Sequence, residues 1–240
     1  FEPNVGAFIW SQQPSLESMP DIVINGPEGR IEARYHRAPD DDAPIALVMH
    51  PHPRFGGTMN NKVVYQIFHS FVDRGFTVLR FNFRGVGRSQ GTFDNGQGEL
   101  ADSAAVLDWL QSIHPSASNC WVTGFSFGAW ISMQLLMRRP EIHSFISVAP
   151  PANIYDFSFL APCPSSGLIL QGTADDVVPE EEVGKLANRL IAQRGPGIEY
   201  RTIPGAGHFF EGKLDNLGKV IDSYIGSKLP DTKKAKVKSK

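Results

Sequence analysis

The sequence predicts an α/β fold with a mostly parallel sheet and helices on both faces, and three observations carry that expectation. From about residue 45 onward, segments rich in β-branched and aromatic residues alternate with longer amphipathic ones, the order that builds strand-helix-strand crossovers. Ile45 to Met49 is a short continuous apolar run, suited to a strand buried on both faces. No repeat, low-complexity linker or shift in composition interrupts the pattern, so residues 19–229 are expected to form a single domain. Residues 1–18 then read as an N-terminal extension and 230–240 as a basic disordered tail.

Asp21 to Asn25 and Arg30 to Arg37 alternate in character around Gly26-Pro27-Glu28-Gly29, the signature of an antiparallel hairpin leading into the sheet. After the strand at Ile45 to Met49, a helix is expected from about Asn60 to Arg74, with Gly75 as its stop signal. Phe76 to Phe81 reads as a strand, Glu99 to Ile113 as a helix and Cys120 to Thr123 as a strand. Phe127 to Met137 is apolar almost all round, as expected of a helix packed deep in a fold. Three further strands are expected at Ser144 to Ala149, Gly167 to Gln171 and Ile198 to Ile203. Two further helices are expected at Pro179 to Gln193 and Leu214 to Ile225.

The 240 residues are 41% hydrophobic and 20% charged, ordinary values for a globular protein. No apolar run approaches the roughly 18 residues of a membrane span. No secretory signal is visible, and the chain is expected to be cytoplasmic. Two cysteines without CxxC spacing argue against a disulfide framework or a structural zinc site. The last ten residues hold five lysines; without them the chain has 18 basic and 24 acidic residues, a net charge of -6. The body therefore offers no general basic surface for nucleic acid. An exposed edge strand near 198–203 is a candidate surface for a homodimer.

Gly124-Phe125-Ser126-Phe127-Gly128 places G-x-S-x-G between a strand and a helix. A serine in so sharp a turn holds its hydroxyl clear of the sheet, and the flanking glycines let strand and helix approach. The hydroxyl is a poor nucleophile and needs a base within hydrogen-bond reach, itself oriented by a third group. His208, in the glycine-rich loop Pro204-Gly205-Ala206-Gly207-His208 after the last expected strand, is the candidate base. Asp175 and Asp176 both leave the carboxyl end of an earlier strand. Asp175 is preferred because it stands where the strand end still controls its direction, and Asp176 is assigned to the turn before the next helix.

An oxyanion hole needs backbone N–H groups aimed at developing negative charge, and Phe127, the residue after the nucleophile, is the first candidate. The second is sought in His50-Pro51-His52-Pro53-Arg54-Phe55-Gly56-Gly57. Proline lacks an N–H, which leaves His52 first by position, with Arg54 and Phe55 behind it. Two histidines at this spacing also suit a metal, but no third ligand is evident and none is expected.

The chain resembles the α/β-hydrolase superfamily, and more closely its small bacterial members that carry an H-P-H-P-x-x-G-G-T-M-x-N segment, here His50 to Asn60. The likeness also takes in Asn82 to Ser89, similar to the superfamily's R-G-x-G-x-S turn, then Gly124 to Gly128, Gly172 to Asp175 and Gly207-His208. It implies an eight-stranded sheet, a Ser/Asp/His triad and no cofactor. It leaves the substrate open among esterases, dienelactone hydrolase-like enzymes and peptidases. Only 17 residues separate Ala149 from Gly167, too few for a cap domain. Within them Tyr155, Phe157, Phe159 and Leu160 are candidates, with Phe55, to line an apolar pocket; the alternative is that they pack the loop down.

The expected activity is hydrolysis of a small or short-acyl ester through an acyl-enzyme. A peptidase or acyltransferase with the same triad is one alternative, and a catalytically silent binding protein is another.

Overall fold

The computed structural model describes residues 21–193 and 195–229. Its strands are β1 (Asp21–Gly26), β2 (Gly29–His36), β3 (Ile45–Met49), β4 (Thr77–Phe81), β5 (Cys120–Phe125), β6 (Ser144–Val148), β7 (Ser166–Gly172) and β8 (Ile198–Ile203). They form one sheet in the order β1-β2-β4-β3-β5-β6-β7-β8. β1 and β2 form the antiparallel hairpin, β2 runs antiparallel to β4, and every later pairing is parallel. Five α-helices accompany the sheet in the described residues: α1 (Lys62–Asp73), α2 (Gln97–Ile113), α3 (Phe127–Leu136), α4 (Glu180–Ile191) and α5 (Leu214–Lys228).

The pleat explains the continuous apolar runs. Along β3, Ile45, Leu47 and Met49 join a core with α2, α3 and α4, while Ala46 and Val48 point to the opposite core with α1 and α5. A strand covered on both sides can afford no polar alternation. The second core is rich in rings, with Phe71, Phe76 and Trp121 meeting edge-to-face at 4.9–5.8 Å. Each such side chain stabilises the fold by about 1.5–3 kcal/mol through removal from water.

The expected helices and strands lie where the sequence places them, apart from shifts of up to three residues at their ends. α1 starts at Lys62 rather than near Asn60, because the Asn61 side chain accepts the Val63 N–H at 2.8 Å and so caps the helix. A short 3₁₀ turn at Pro53–Phe55 has no hydrophobic period to announce it. Between β6 and β7 there is no helix.

The chain crosses from β3 through α1 to β4 on one side, then returns through α2 to β5 on the other. β3 and β5 therefore flank the point where the winding reverses, and the carboxyl ends of such strands open a crevice.

Candidate active site

Ser126 ends the turn between β5 and α3 with φ 55° and ψ -119°. A left-handed conformation in a residue with a Cβ costs on the order of 1–3 kcal/mol, so the surroundings must hold it. Its N–H donates to Val148 O at 2.9 Å, and its carbonyl accepts from Ala129 N at 2.8 Å. The two glycines of the motif are required by space. A Cβ on Gly124 would stand 2.2 Å from Gly128 O, and one on Gly128 would stand 2.4 Å from Met49 O. Strand, helix and the neighbouring β3 thus close on one another around the serine.

The three residues expected to form a relay come together. His208 Nε2 lies 3.1 Å from Ser126 Oγ, and His208 Nδ1 lies 2.8 Å from Asp175 Oδ2. Burial alone would raise the Asp175 carboxyl, but hydrogen bonds from His208 and Val178, with the His208 charge and Val177 adding to them, hold it below the usual carboxylate range. An ionised carboxylate only accepts, so Nδ1 carries the imidazole proton and Nε2 is left to accept from the serine hydroxyl. Asp176 is exposed.

Asp175 is itself fixed on all sides. Oδ1 accepts from Val177 N at 3.0 Å and Val178 N at 2.8 Å, while Oδ2 also accepts from Gln171 Nε2 at 2.9 Å. Sequence reading passed over Gln171, the penultimate residue of β7, whose fully buried amide also donates to Val178 O at 2.7 Å. A glutamine ending an otherwise apolar strand four residues before a candidate catalytic aspartate was the available signal.

Phe127 and His52 stand on opposite sides of a shared contact, with ring centroids 4.9 Å apart. Phe127 is the first residue of α3, where an N–H has no intrahelical partner. Among the described residues neither the Phe127 nor the His52 N–H has a protein acceptor. The His52 carbonyl and Nδ1 are engaged within the 3₁₀ turn, accepting from Phe55 N, Gly57 N and Arg54 N at 3.1–3.2 Å.

That turn is held from below by His50, which is fully buried. Nδ1 donates to Pro51 O at 2.6 Å and Nε2 accepts from Phe83 N at 3.0 Å, a pattern only the neutral ring can make. Burial pushes its pKa down to about 3. Because the unfolded value is about 6.5, the unfolded chain takes up a proton that the folded chain refuses between those limits. This contribution to stability is complete above about pH 6.5 and is lost as pH falls toward 3. His50→Gln removes the titration, and the variant is expected to lose less stability than the parent between about pH 7 and pH 5, measured by urea unfolding.

The segment Asn82 to Ser89 serves as the bracket for this loop. Asn82 Oδ1 accepts from Met59 N at 2.8 Å, Phe83 supplies its N–H to His50, and Arg84 makes a two-pronged pair with Asp102 of α2 at 2.7 and 3.0 Å. Both ions are buried, at 6% and 1% exposure, so removing the Asp102 charge leaves Arg84 in the interior with only the exposed Glu28 carboxylate, 3.9 Å away, as an ion-pair partner. Asp102→Asn is expected to lower stability by about 3 kcal/mol, read as a shift in denaturation midpoint.

The candidate pocket residues divide. Leu160 is wholly enclosed in the core, the place that the packing alternative gives it. Phe157, only 3% exposed, and Tyr155 both line a cavity of about 280 Å³ between this loop and α4, with Ala152, Leu186 and Arg189. Phe159 is half-buried and packs on Phe157 at 6.0 Å. Phe55 is 84% exposed, its ring 4.7 Å from His52. Sequence reading missed Phe93 and Trp130, both of which meet Phe127.

The model of the X-Pro dipeptidyl-peptidase (S15) family matches residues 29–194. The chain belongs to this family of α/β hydrolases. The match spans Ser126 and Asp175 and ends before His208. A crystal structure of a protein of unknown function from Agrobacterium tumefaciens is 59% identical to the hydrolase, with a TM-score of 0.85 over 87% of this chain and 96% of that one. An α/β serine hydrolase without lid from Xanthomonas campestris is 34% identical, with a TM-score of 0.79 over 89% and 96% of the two chains. An uncharacterized protein from Rickettsia prowazekii is 56% identical over 211 residues, covering 86% of the hydrolase and 89% of the relative. The fold and these relatives identify a hydrolase of the α/β serine type.

Proposed function

We propose that the hydrolase is a carboxylesterase acting on small or short-acyl esters, with Ser126 as nucleophile, His208 as general base and Asp175 as the group that orients it. The observation that carries this reading is the unbroken chain of hydrogen bonds from Asp175 Oδ2 through the imidazole to Ser126 Oγ. In the first half-reaction His208 Nε2 takes the hydroxyl proton as Oγ attacks the ester carbonyl. The N–H groups of Phe127 and His52 receive the developing oxyanion, and the imidazolium then protonates the departing alcohol. In the second half, His208 draws a proton from water, which attacks the acyl-enzyme and frees the acid and Ser126. The short connection between β6 and β7 carries no helix, so no cap is inserted there. Asp175 remains ionised throughout and stabilises the imidazolium.

Reaction with a fluorophosphonate probe, followed by peptide mapping, is expected to place the label on Ser126, and p-nitrophenyl acetate and butyrate are expected to be turned over. A label on another residue, or none, overturns the reading. The family match favours one rival, a peptidase using the same triad. That rival expects a dipeptidyl Xaa-Pro p-nitroanilide to be cleaved with a higher kcat/KM than the p-nitrophenyl esters.

A further inference from the structure

The nucleophile stands beside a ring cluster whose inner member is Phe127. On one side His52 and Phe93 meet that ring at 4.9 and 6.0 Å, and each other at 4.9 Å. On the other side Trp130 and Tyr155 meet it at 5.7 and 5.9 Å, and stack on each other at 4.2 Å with planes 20° apart. Phe127 is covered, as is Phe83, which meets it at 5.8 Å, whereas His52, Phe93, Trp130 and Tyr155 are each only half-buried. They present an aromatic surface one residue from Ser126 and around the amide that would receive the oxyanion.

These rings are fixed before any ligand arrives. Trp130 Nε1 donates to Asp156 O at 3.2 Å. The loop that carries Phe93 is tied down by buried Glu99, whose carboxylate accepts from Asp94 N at 3.0 Å and Gly96 N at 2.8 Å. A Cβ at Gly96 would stand 2.4 Å from the Trp130 ring, so that loop lies hard against the indole. Preformed rings with exposed faces and edges reward a partner with a complementary quadrupole over an alkyl group of equal size.

We propose that the substrate of this site carries an aromatic ring near its scissile carbonyl, held against the uncovered surfaces of His52, Phe93, Trp130 and Tyr155. The proposal rests on the serine-hydrolase reading for its chemistry, but not for its binding. The ring can belong to the acid or to the alcohol, and the two halves are tested separately. Methyl 3-phenylpropanoate is compared with methyl 3-cyclohexylpropanoate, and benzyl acetate with cyclohexylmethyl acetate. Within each pair the carbon skeletons match and the main difference is the π-system, and the leucine variants separate ring recognition from differences in intrinsic reactivity.

In one of the two pairs kcat/KM is expected to favour the aromatic ester by at least about fivefold, and Phe93→Leu or Tyr155→Leu is expected to reduce that ratio below about twofold. Ratios near one in both pairs, or a ratio unchanged in both leucine variants, overturn the proposal. The same four esters titrated calorimetrically into Ser126→Ala test ring preference without turnover. A preference there, together with a parent protein that takes no fluorophosphonate label, would keep the ring site and reject the esterase. Labelling of Ser126 without ring preference would do the reverse.

Discussion

Replacement of Ser126 by alanine is expected to lower kcat for p-nitrophenyl butyrate by about 10⁶-fold while leaving the denaturation midpoint nearly unchanged. Among the described residues the serine side chain makes one hydrogen bond, to His208, and the backbone strain at φ 55° is carried by either residue. The N–H to Val148 and the carbonyl contact to Ala129 belong to the main chain and survive the change. Burst kinetics distinguish this loss from slowed deacylation, since no p-nitrophenol is released even in the first turnover. A variant that retains even about 1% of parental kcat would show that another group attacks the ester.

Asp175→Asn is expected to lower kcat by about 10⁴-fold, for a reason visible in its neighbours. Val177 N–H and Val178 N–H point at Oδ1, so the asparagine carbonyl takes that position and its NH₂ replaces Oδ2. That NH₂ then faces the donors of Gln171 and His208. The imidazole answers by moving its proton to Nε2, the tautomer that cannot accept from Ser126. Asp176→Asn, at an exposed neighbour, is expected to change kcat by less than about twofold. Equal loss in both variants would remove Asp175 from the relay.

How much of this was legible beforehand follows from what each element needed. The strands were readable because burial on two faces forces continuous apolar runs, as in Ile45–Met49 and Ser144–Val148. The nucleophile turn was readable because glycine is compulsory on both sides of the serine, and the order of serine, aspartate and histidine followed from the positions of strand ends. What escaped depended on partners far apart in the chain. Gln171 matters only because β7 ends beneath the Asp175 loop. Arg84 finds its charge partner 18 residues away on α2, and Phe93 and Trp130 meet through a ring that neither adjoins in sequence. Tyr155 and Leu160 are two bulky candidates five residues apart, and packing decides that one faces a cavity while the other is sealed inside.

The three groups of the relay hang from β5, β7 and the loop beyond β8, strands laced to one another through a sheet sandwiched between two cores. The last loop is tied to the end of β7, with Gly205 N–H donating to Thr173 Oγ1 and Ala174 N–H to Ala206 O, both at 2.9 Å, so the spacing of oxygen and nitrogen follows the sheet. Thermal inactivation should therefore coincide with cooperative melting, with no temperature range in which an intact body has already gone silent.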